Sequence, residues 1–142
     1  MNVARAFFDT NVLLYMYSNE LAKRAKATEL FREHAANSRI VVSTQVVQEF
    51  YAASSRKLGM PRREAYVAVQ ALLDLPLVLL GASHVTTAIR NEESYQVSFW
   101  DGLILAAAQS AGAEILYTED LNDGQLYGTV LVQNPFRLLH GK

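Results

Sequence analysis

The sequence contains no cysteine, which excludes a disulfide framework and a thiolate metal site. It also contains no apolar run near the ~20 residues that a membrane-spanning helix needs. Residues 1–5 lack the apolar core of a signal peptide. We therefore expect a cytoplasmic protein that makes no membrane contact. With 142 residues, of which 51% are hydrophobic, the chain is predicted to form a single domain over residues 1–142.

Basic residues are missing from one long part of the chain. Residues 91–136 contain seven Asp or Glu and no Lys, Arg or His, whereas residues 1–90 contain 11 Lys or Arg against seven acids. The net charge of −1 conceals this asymmetry. An acid of residues 91–136 that points inward must find its partner elsewhere, and a metal ion is one such partner.

Apolar runs typical of strands alternate with helical patterns along the chain. Strands are predicted at residues 4–8, 40–42, 77–80, 115–117 and 129–132. Helices are predicted at residues 12–17, 21–36, 45–58, 61–73, 83–91 and 98–110, and a loop at residues 121–128. This alternation predicts an α/β fold, with a mainly parallel central sheet covered by helices on both faces.

Two acids follow predicted strands. Asp9 ends the first strand and Asp120 follows the fourth, at the sheet edge where ligands of open α/β folds bind. The alternative for Asp9 is a helix cap, and for Asp120 an Asx-turn. Glu119 and Asp123 compete with Asp120 for a functional role. Strand alternation favours Asp120, because it places Thr118 and Asp120 on one side and Glu119 on the other.

Two further acids lie on predicted apolar helices. Glu49 shares a helical face with Val46 and Phe50, although it could instead sit at the edge of that stripe and reach Arg56. Asp101 lies in the segment 99–108, which is apolar on every face and is predicted to be buried. The alternative is a capping box that pairs Asp101 with Ser98. Capping and metal binding are compatible, because a ligating carboxylate must itself be oriented by neighbouring donors.

Together the four acids indicate one kind of chemistry. Four carboxylates at element ends would repel one another unless a cation neutralised them. Hard divalent cations prefer oxygen ligands, and such ions hydrolyse phosphodiesters by activating water and stabilising the leaving oxygen. The pattern therefore favours a divalent-metal site formed by Asp9, Glu49, Asp101 and Asp120, of a kind that can support phosphodiester hydrolysis.

Four short motifs resemble those of the PIN-domain ribonucleases, in the order of that family. They are residues 7–14 (FFDTNVLL), 43–50 (STQVVQEF), 98–108 (SFWDGLILAAA) and 116–120 (LYTED). The chain length is similar to that of the stand-alone VapC-type toxins of toxin–antitoxin systems. The sequence is therefore identified as a member of the PIN-domain family, of the VapC type.

The resemblance implies a PIN-like α/β/α sandwich with Mg²⁺- or Mn²⁺-dependent endoribonuclease activity. It implies an RNA substrate, a small antitoxin partner and a homodimer, for which the apolar helix 12–17 is a candidate interface. Asp9, Glu49, Asp101 and Asp120 take the acidic positions of the family, and Asn11, Ser98 and Thr118 match supporting polar positions. After Asp120 many members carry a further acid and an aromatic residue. This chain has Leu-Asn-Asp-Gly there instead, so the role of Asp123 stays open.

Other residues carry weaker predictions. Several Lys and Arg side chains could contact RNA phosphates, or could simply be solvated: Lys23, Arg24, Lys26, Arg56, Lys57, Arg62 and Arg63. Four aromatic residues could stack bases, although packing explains most of them equally well: Tyr15, Tyr17, Tyr51 and Trp100. The three histidines have no ligand spacing and are predicted at the surface: His34, His84 and His140.

Three rival functions follow from the same acids. A haloacid-dehalogenase-like phosphoryl-transfer enzyme also begins with an Asp at a strand end, but it needs a second Asp where Asn11 lies and a Lys near the later acids. A receiver domain needs that Lys as well. A non-catalytic PIN-like module that only binds RNA or protein typically loses acids, and this chain has all four.

Overall fold

A computed structural model describes residues 4–139 of the chain, so His140 lies outside the described residues. Its strands are β1 (Ala6–Phe8), β2 (Ile40–Ser43), β3 (Leu77–Val78), β4 (Ile115–Tyr117), β5 (Leu126–Tyr127) and β6 (Val130–Gln133). Its helices are α1 (Thr10–Tyr15), α2 (Leu21–Ala35), α3 (Thr44–Leu58), α4 (Arg62–Leu73), α5 (Ala82–Tyr95) and α6 (Phe99–Ser110). A 3₁₀ turn over Arg137–Leu139 ends the described part.

Helix ends form where the sequence provides capping residues. The Ser43 hydroxyl accepts a hydrogen bond from the Val46 amide at 3.3 Å and starts α3, which ends at Gly59 in the left-handed conformation (φ 63°). The Ser98 hydroxyl accepts from the Asp101 amide at 3.1 Å and starts α6. These caps place Glu49 one turn into α3 and Asp101 in the first turn of α6.

The strands form one sheet in the order β3-β2-β1-β4-β6-β5. All neighbouring strands are parallel except β5, which runs antiparallel to β6. From β1 the chain first builds β2 and β3 on one side, and then crosses to build β4 and β6 on the other. The predicted α/β fold, with a mainly parallel sheet flanked by helices, is confirmed. The carboxyl ends of β1 and β4 meet where the chain changes direction, which is where such sheets bind ligands.

The core contains both faces of the central strands. Phe7 and Phe8 of β1 are fully buried, and α6 is buried along Gly102–Ala108, as its apolar sequence predicted. The apolar side chains of α1, Val12, Leu13 and Leu14, are also buried in the core. In the stretch 12–17, which with its neighbours was the predicted dimer interface, Tyr17 is 40% exposed, and the interface stays a prediction.

Three expectations need correction. Residues 126–127 form β5 within the predicted loop, and α5 extends to Tyr95, four residues beyond its predicted end. His34 is buried rather than at the surface. Its Nδ1 donates to the Leu30 carbonyl at 3.0 Å, and its ring packs against Phe8 and Tyr117. None of the helices within residues 4–139 combines the length and apolarity required to cross a membrane.

Candidate active site

Asp9 lies between β1 and α1, at the carboxyl edge of the sheet. Its Oδ1 accepts a hydrogen bond from the Thr10 amide at 2.7 Å, and its Oδ2 accepts one from the Thr118 hydroxyl at 2.8 Å. The residue is only 5% exposed. Asp9 is thus the cap of α1 and also lies at the carboxyl edge of the sheet, so its role as a cap is compatible with the predicted role in metal binding.

Burial has the largest effect on the pKa of Asp9. The pKa of Asp9 is raised from 3.8 to about 7, mainly by desolvation and to a smaller extent by the negative charges of Asp120 and Glu49, although the hydrogen bonds from Thr118 and Thr10 act to lower it. Asp120 and Glu49 therefore lie close enough to Asp9 to repel its carboxylate.

The residues after β4 form a network with Asn11. The Thr118 hydroxyl accepts from the Asn11 side-chain amide and from the Asp120 backbone amide, each at 3.1 Å. The Asn11 amide also donates to Asp120 Oδ2 at 3.1 Å, and its oxygen accepts from the Glu119 amide at 3.4 Å. Asn11 and Thr118 thus fix the direction of the Asp9 and Asp120 carboxylates.

The Glu49 side chain is exposed. It therefore lies at the edge of the apolar stripe of α3, which was the alternative offered by the sequence. Its carboxylate is held by the Thr10 hydroxyl at 3.1 Å and by the Gln45 amide at 3.2 Å. The expected alternative partner, Arg56, donates instead to the Ala52 carbonyl. The partners that hold Glu49 therefore keep it beside Asp9, since Thr10 is bonded to both residues.

Asp101 approaches the same site from α6. It is partly buried, and desolvation raises its pKa. Asp120 and Glu49 raise this pKa further by charge repulsion, while the hydrogen bond with Ser98 lowers it. Asp120 and Glu49 thus lie close enough to raise the pKa of both Asp9 and Asp101, and the four acids come from four separate segments of the chain.

Three of these acids line one cavity of about 300 Å³, which we call the acid cavity. Asp9, Glu49 and Asp120 share its wall with Arg56 and Lys57. The two bases come from the last turn of α3. A cleft that combines carboxylates with bases can hold both a cation and the phosphate group of a substrate.

Glu119 and Asp123, the two acids that compete with Asp120 for a functional role, each form an ion pair. Glu119 accepts from the Tyr15 hydroxyl at 2.8 Å and pairs with Lys23 at 3.3 Å. Asp123 pairs with Arg137 at 2.7 Å and accepts from the Asn134 amide. The Asn134 hydrogen bond, together with Arg137, holds the pKa of Asp123 below its ordinary value.

The donors in this site suit a hard divalent cation that keeps much of its water. Within residues 4–139, no three Asp, Glu or His side chains are arranged as a preformed metal-binding group. Mg²⁺ is nevertheless bound through only one or two carboxylates, with water and substrate oxygens completing its shell. The repulsion that raises the pKa of Asp9 and Asp101 is also what a cation relieves. The residues therefore fit a hydrated cation, and do not fit a cage built only of protein ligands.

Two residues of the site were missed from the sequence. Thr10 links Asp9 to Glu49, and Gln45 donates both to Glu49 and to the Trp100 carbonyl, at 3.2 and 3.3 Å. The position of Gln45 one helical turn before Glu49 was a usable signal, because side chains four residues apart on a helix are neighbours. Thr10 gave no comparable signal.

Comparison with known proteins identifies the family. The family model described as "PIN domain" matches residues 6–123, and the chain belongs to this family. A toxin–antitoxin complex from Klebsiella pneumoniae superposes with a TM-score of 0.70 at 20% identity, covering 92% of this chain and 97% of that one. The VapC20 toxin of Mycobacterium tuberculosis gives 0.68 at 19% identity, covering 81% and 89%. DNA-bound VapBC from Salmonella typhimurium gives 0.68 at 15% identity, covering 94% and 99%. A search of curated proteins returned no match.

Proposed function

We propose that this protein is a Mg²⁺- or Mn²⁺-dependent endoribonuclease and the toxin of a toxin–antitoxin pair. The observation that carries the proposal is the convergence of Asp9, Glu49, Asp101 and Asp120 on one site, where their charges raise the pKa values of Asp9 and Asp101. Membership of the PIN-domain family supports it. The fold is also shared with VapC20, which is described as a sarcin–ricin-loop-cleaving toxin.

Each residue has a defined role in this proposal. Asp9, Asp101, Asp120 and Glu49 would hold the metal together, one or two of them directly and the others through its bound water. When bound, the cation supplies a water of lowered pKa and stabilises charge on phosphate oxygens. Asn11 and Thr118 orient the Asp120 and Asp9 carboxylates through the hydrogen bonds described above, and the Ser98 hydroxyl caps α6 by accepting from the Asp101 amide. Arg56 and Lys57 attract the RNA phosphate to the acid cavity.

The partners follow from the same proposal. A toxin that degrades cellular RNA acts in the cytoplasm and must be restrained by an antitoxin. Two of the similar structures are described as a toxin–antitoxin complex and as DNA-bound VapBC, which supports a small antitoxin partner here. We further propose that the protein forms a homodimer.

The proposal is tested by RNA cleavage in EDTA, Mg²⁺ and Mn²⁺. We expect cleavage with either metal and none in EDTA. Asn11→Ala removes a residue that orients Asp120 and should reduce the rate by about 10–100-fold. Asp101→Asn removes a charge from the metal site itself and should reduce it by more.

Asp74→Asn is the matched control, because Asp74 is an exposed acid at the end of α4, outside the acid cavity. It should cleave at the parent rate. Equal activity of the parent and Asp101→Asn would refute the mechanism. A parent that binds RNA without cleaving it under any metal would instead indicate a binding module.

A further inference from the structure

The Gln45 side chain is buried where α3 meets the first turn of α6. Only 5% of the residue is exposed, and it does not line the acid cavity. Its Nε2 donates to Glu49 Oε2 at 3.2 Å and to the Trp100 carbonyl at 3.3 Å. Both partners are acceptors, so the amide must present its nitrogen to them. One side chain therefore joins an acid of α3 to the backbone of α6.

The oxygen of the same amide gains nothing from this arrangement. Gln45 Oε1 is closed off from solvent and has no hydrogen-bond partner within residues 4–139. A buried polar atom without a partner destabilises the folded state, whereas a typical hydrogen bond adds little net stability. Stability alone therefore favours an apolar side chain of the same size at this position.

Glu49 depends on Gln45 because its other donor is shared. The Thr10 hydroxyl lies 3.1 Å from Glu49 Oε1 and 3.3 Å from the Val46 carbonyl, and a hydroxyl has one proton to donate. The Gln45 amide has two protons, one for each of its two acceptors. Of these two donors, the amide is thus the one that serves Glu49 without competition.

The charges of the site act against the position of Glu49. Desolvation and, to a smaller extent, the charge of Glu49 raise the pKa of both Asp9 and Asp101, so Glu49 repels both carboxylates. The Glu49 side chain is exposed and can turn towards solvent, where its charge is better solvated. A contact that keeps it in the site must therefore be anchored firmly.

Helix α6 provides such an anchor. The helix is buried along Gly102–Ala108, and Gly102 contacts the backbone of α5 too closely to admit a side chain. The Trp100 carbonyl lies in the first turn of α6, where the helical pattern supplies it with a donor from the next turn. The position of this carbonyl therefore does not depend on Gln45, whereas that of the Glu49 carboxylate does.

We propose that Gln45 is a positioning residue of the active site, which anchors the Glu49 carboxylate to α6 and thereby holds it within reach of the metal ion. The inference rests on the proposed function and adds a residue to the same site. Gln45 acts on the metal only through Glu49. Its loss should therefore weaken metal binding without weakening the fold.

Gln45→Met tests this role, because methionine has nearly the same length and volume but no amide. Mn²⁺ binding in the absence of RNA is followed by the paramagnetic resonance signal of free Mn²⁺, and stability by urea unfolding in EDTA. Loss of a residue that orients a ligand typically weakens metal affinity by about 10–100-fold, and we expect a loss in this range. The urea midpoint should equal or exceed that of the parent, because the unpaired oxygen is gone and Glu49 can bond to water.

Gln48→Met is the matched control. Gln48 lies beside Glu49 on α3, but it is exposed and outside the acid cavity. It should bind Mn²⁺ with the affinity of the parent. A merely structural role of Gln45 would give the opposite result for Gln45→Met, a lower urea midpoint with unchanged Mn²⁺ affinity.

A double-mutant cycle with Glu49→Ala shows whether Gln45 acts through Glu49. Glu49→Ala removes the group that Gln45 is proposed to hold, so adding Gln45→Met should change the Mn²⁺ affinity by less than about twofold. Equal affinity of the parent and Gln45→Met, or losses that multiply in the double variant, would overturn the role of Gln45. RNA cleavage is measured in parallel. A protein that shows this coupling in Mn²⁺ binding but cuts no RNA would overturn the nuclease proposal and leave the role of Gln45 standing.

Discussion

The Thr118 hydroxyl sets the direction of the hydrogen bonds in the acid cavity. It accepts from Asn11 and from the Asp120 amide, which occupies both of its lone pairs, so its single proton points to Asp9 Oδ2. Asp9 must therefore accept at this oxygen, which favours its ionised form. Burial opposes this effect and raises the pKa of Asp9 to about 7. Without a metal, the ionised form of Asp9 is therefore poorly stabilised by its surroundings.

This conflict predicts a pH dependence of stability in EDTA. The pKa of Asp9 is about 7 in the folded state against 3.8 for an ordinary Asp, so between these values the folded state holds a proton that the unfolded state lacks. Stability should therefore fall as pH rises through this window. Asp9→Asn cannot titrate, so its melting temperature should fall less than that of the parent between pH 5 and pH 8.

The quantity to compare between the variants is the slope of the melting temperature against pH. Asp9→Asn also disturbs the hydrogen bond from Thr118, which adds an offset of about 0.5–1.5 kcal/mol that does not change with pH. Asp74→Asn, at an exposed position, should follow the parent curve. Parallel curves for the parent and Asp9→Asn would contradict the raised pKa.

At the scale of helices and strands, periodicity and capping residues predicted most of the chain. The buried strands β1, β2 and β4 are continuous apolar runs, and Ser43, Gly59 and Ser98 mark helix ends with side chains or conformations of known preference. β5 was missed because it has two residues and its Leu126 is exposed, so no alternating pattern exists. The end of α5 was missed because residues 92–94 are polar and exposed, which resembles a loop.

Gly102 shows how closely α5 and α6 pack. A Cβ at this position would lie 2.6 Å from the Ala88 carbonyl oxygen and 3.5 Å from Asn91 Cβ. Gly→Ala within a helix ordinarily stabilises it by about 1 kcal/mol. Here the clash is with backbone that cannot rotate away, so Gly102→Ala should destabilise the protein by about 1–3 kcal/mol in urea unfolding. Cleavage should decrease too, because the adjacent Asp101 moves with the helix.

Gly81→Ala is the control for this prediction. A Cβ at Gly81 meets nothing within 4 Å, and its φ of −139° suits any residue. Its stability should stay near that of the parent. Gly102→Ala could instead unfold at the same urea concentration as the parent, or at a higher one. Helix propensity would then outweigh the clash, which would contradict the close packing of α5 on α6.

At the scale of the whole molecule, topology assembles the site. β1 and β4 are neighbours although more than 100 residues separate them, which brings Asp9 next to Thr118 and Asp120. The sequence allowed this prediction, because acids at the ends of parallel strands meet at one edge of the sheet. It could not reveal the hydrogen-bonded cluster of Tyr15, Lys23 and Glu119. These residues come from three separate segments, and none of them breaks the local pattern.

The proposed homodimer requires an exposed apolar surface, and Val12, Leu13 and Leu14 of α1 are buried. Val85 and Ile89 lie one turn apart on α5 and are 45% and 53% exposed, and Trp100, at the start of the neighbouring α6, is 63% exposed. Single exposed apolar residues are normal, but a pair on one helical face is suited to a two-fold contact between copies of the chain. We therefore expect light scattering to give about twice the chain mass of 15.8 kDa.

Ile89→Lys should reduce this mass to that of one chain. Each chain would bring a lysine ammonium group into the apolar interface, where it would lose its water without gaining a partner of opposite charge. Its melting temperature at low concentration should change little, since Ile89 is exposed within the single chain. Val67→Lys, at a similarly exposed position on α4, should leave the dimer intact. A parent of 15.8 kDa would refute the dimer, whereas a dimer that persists in Ile89→Lys would place its interface on another surface.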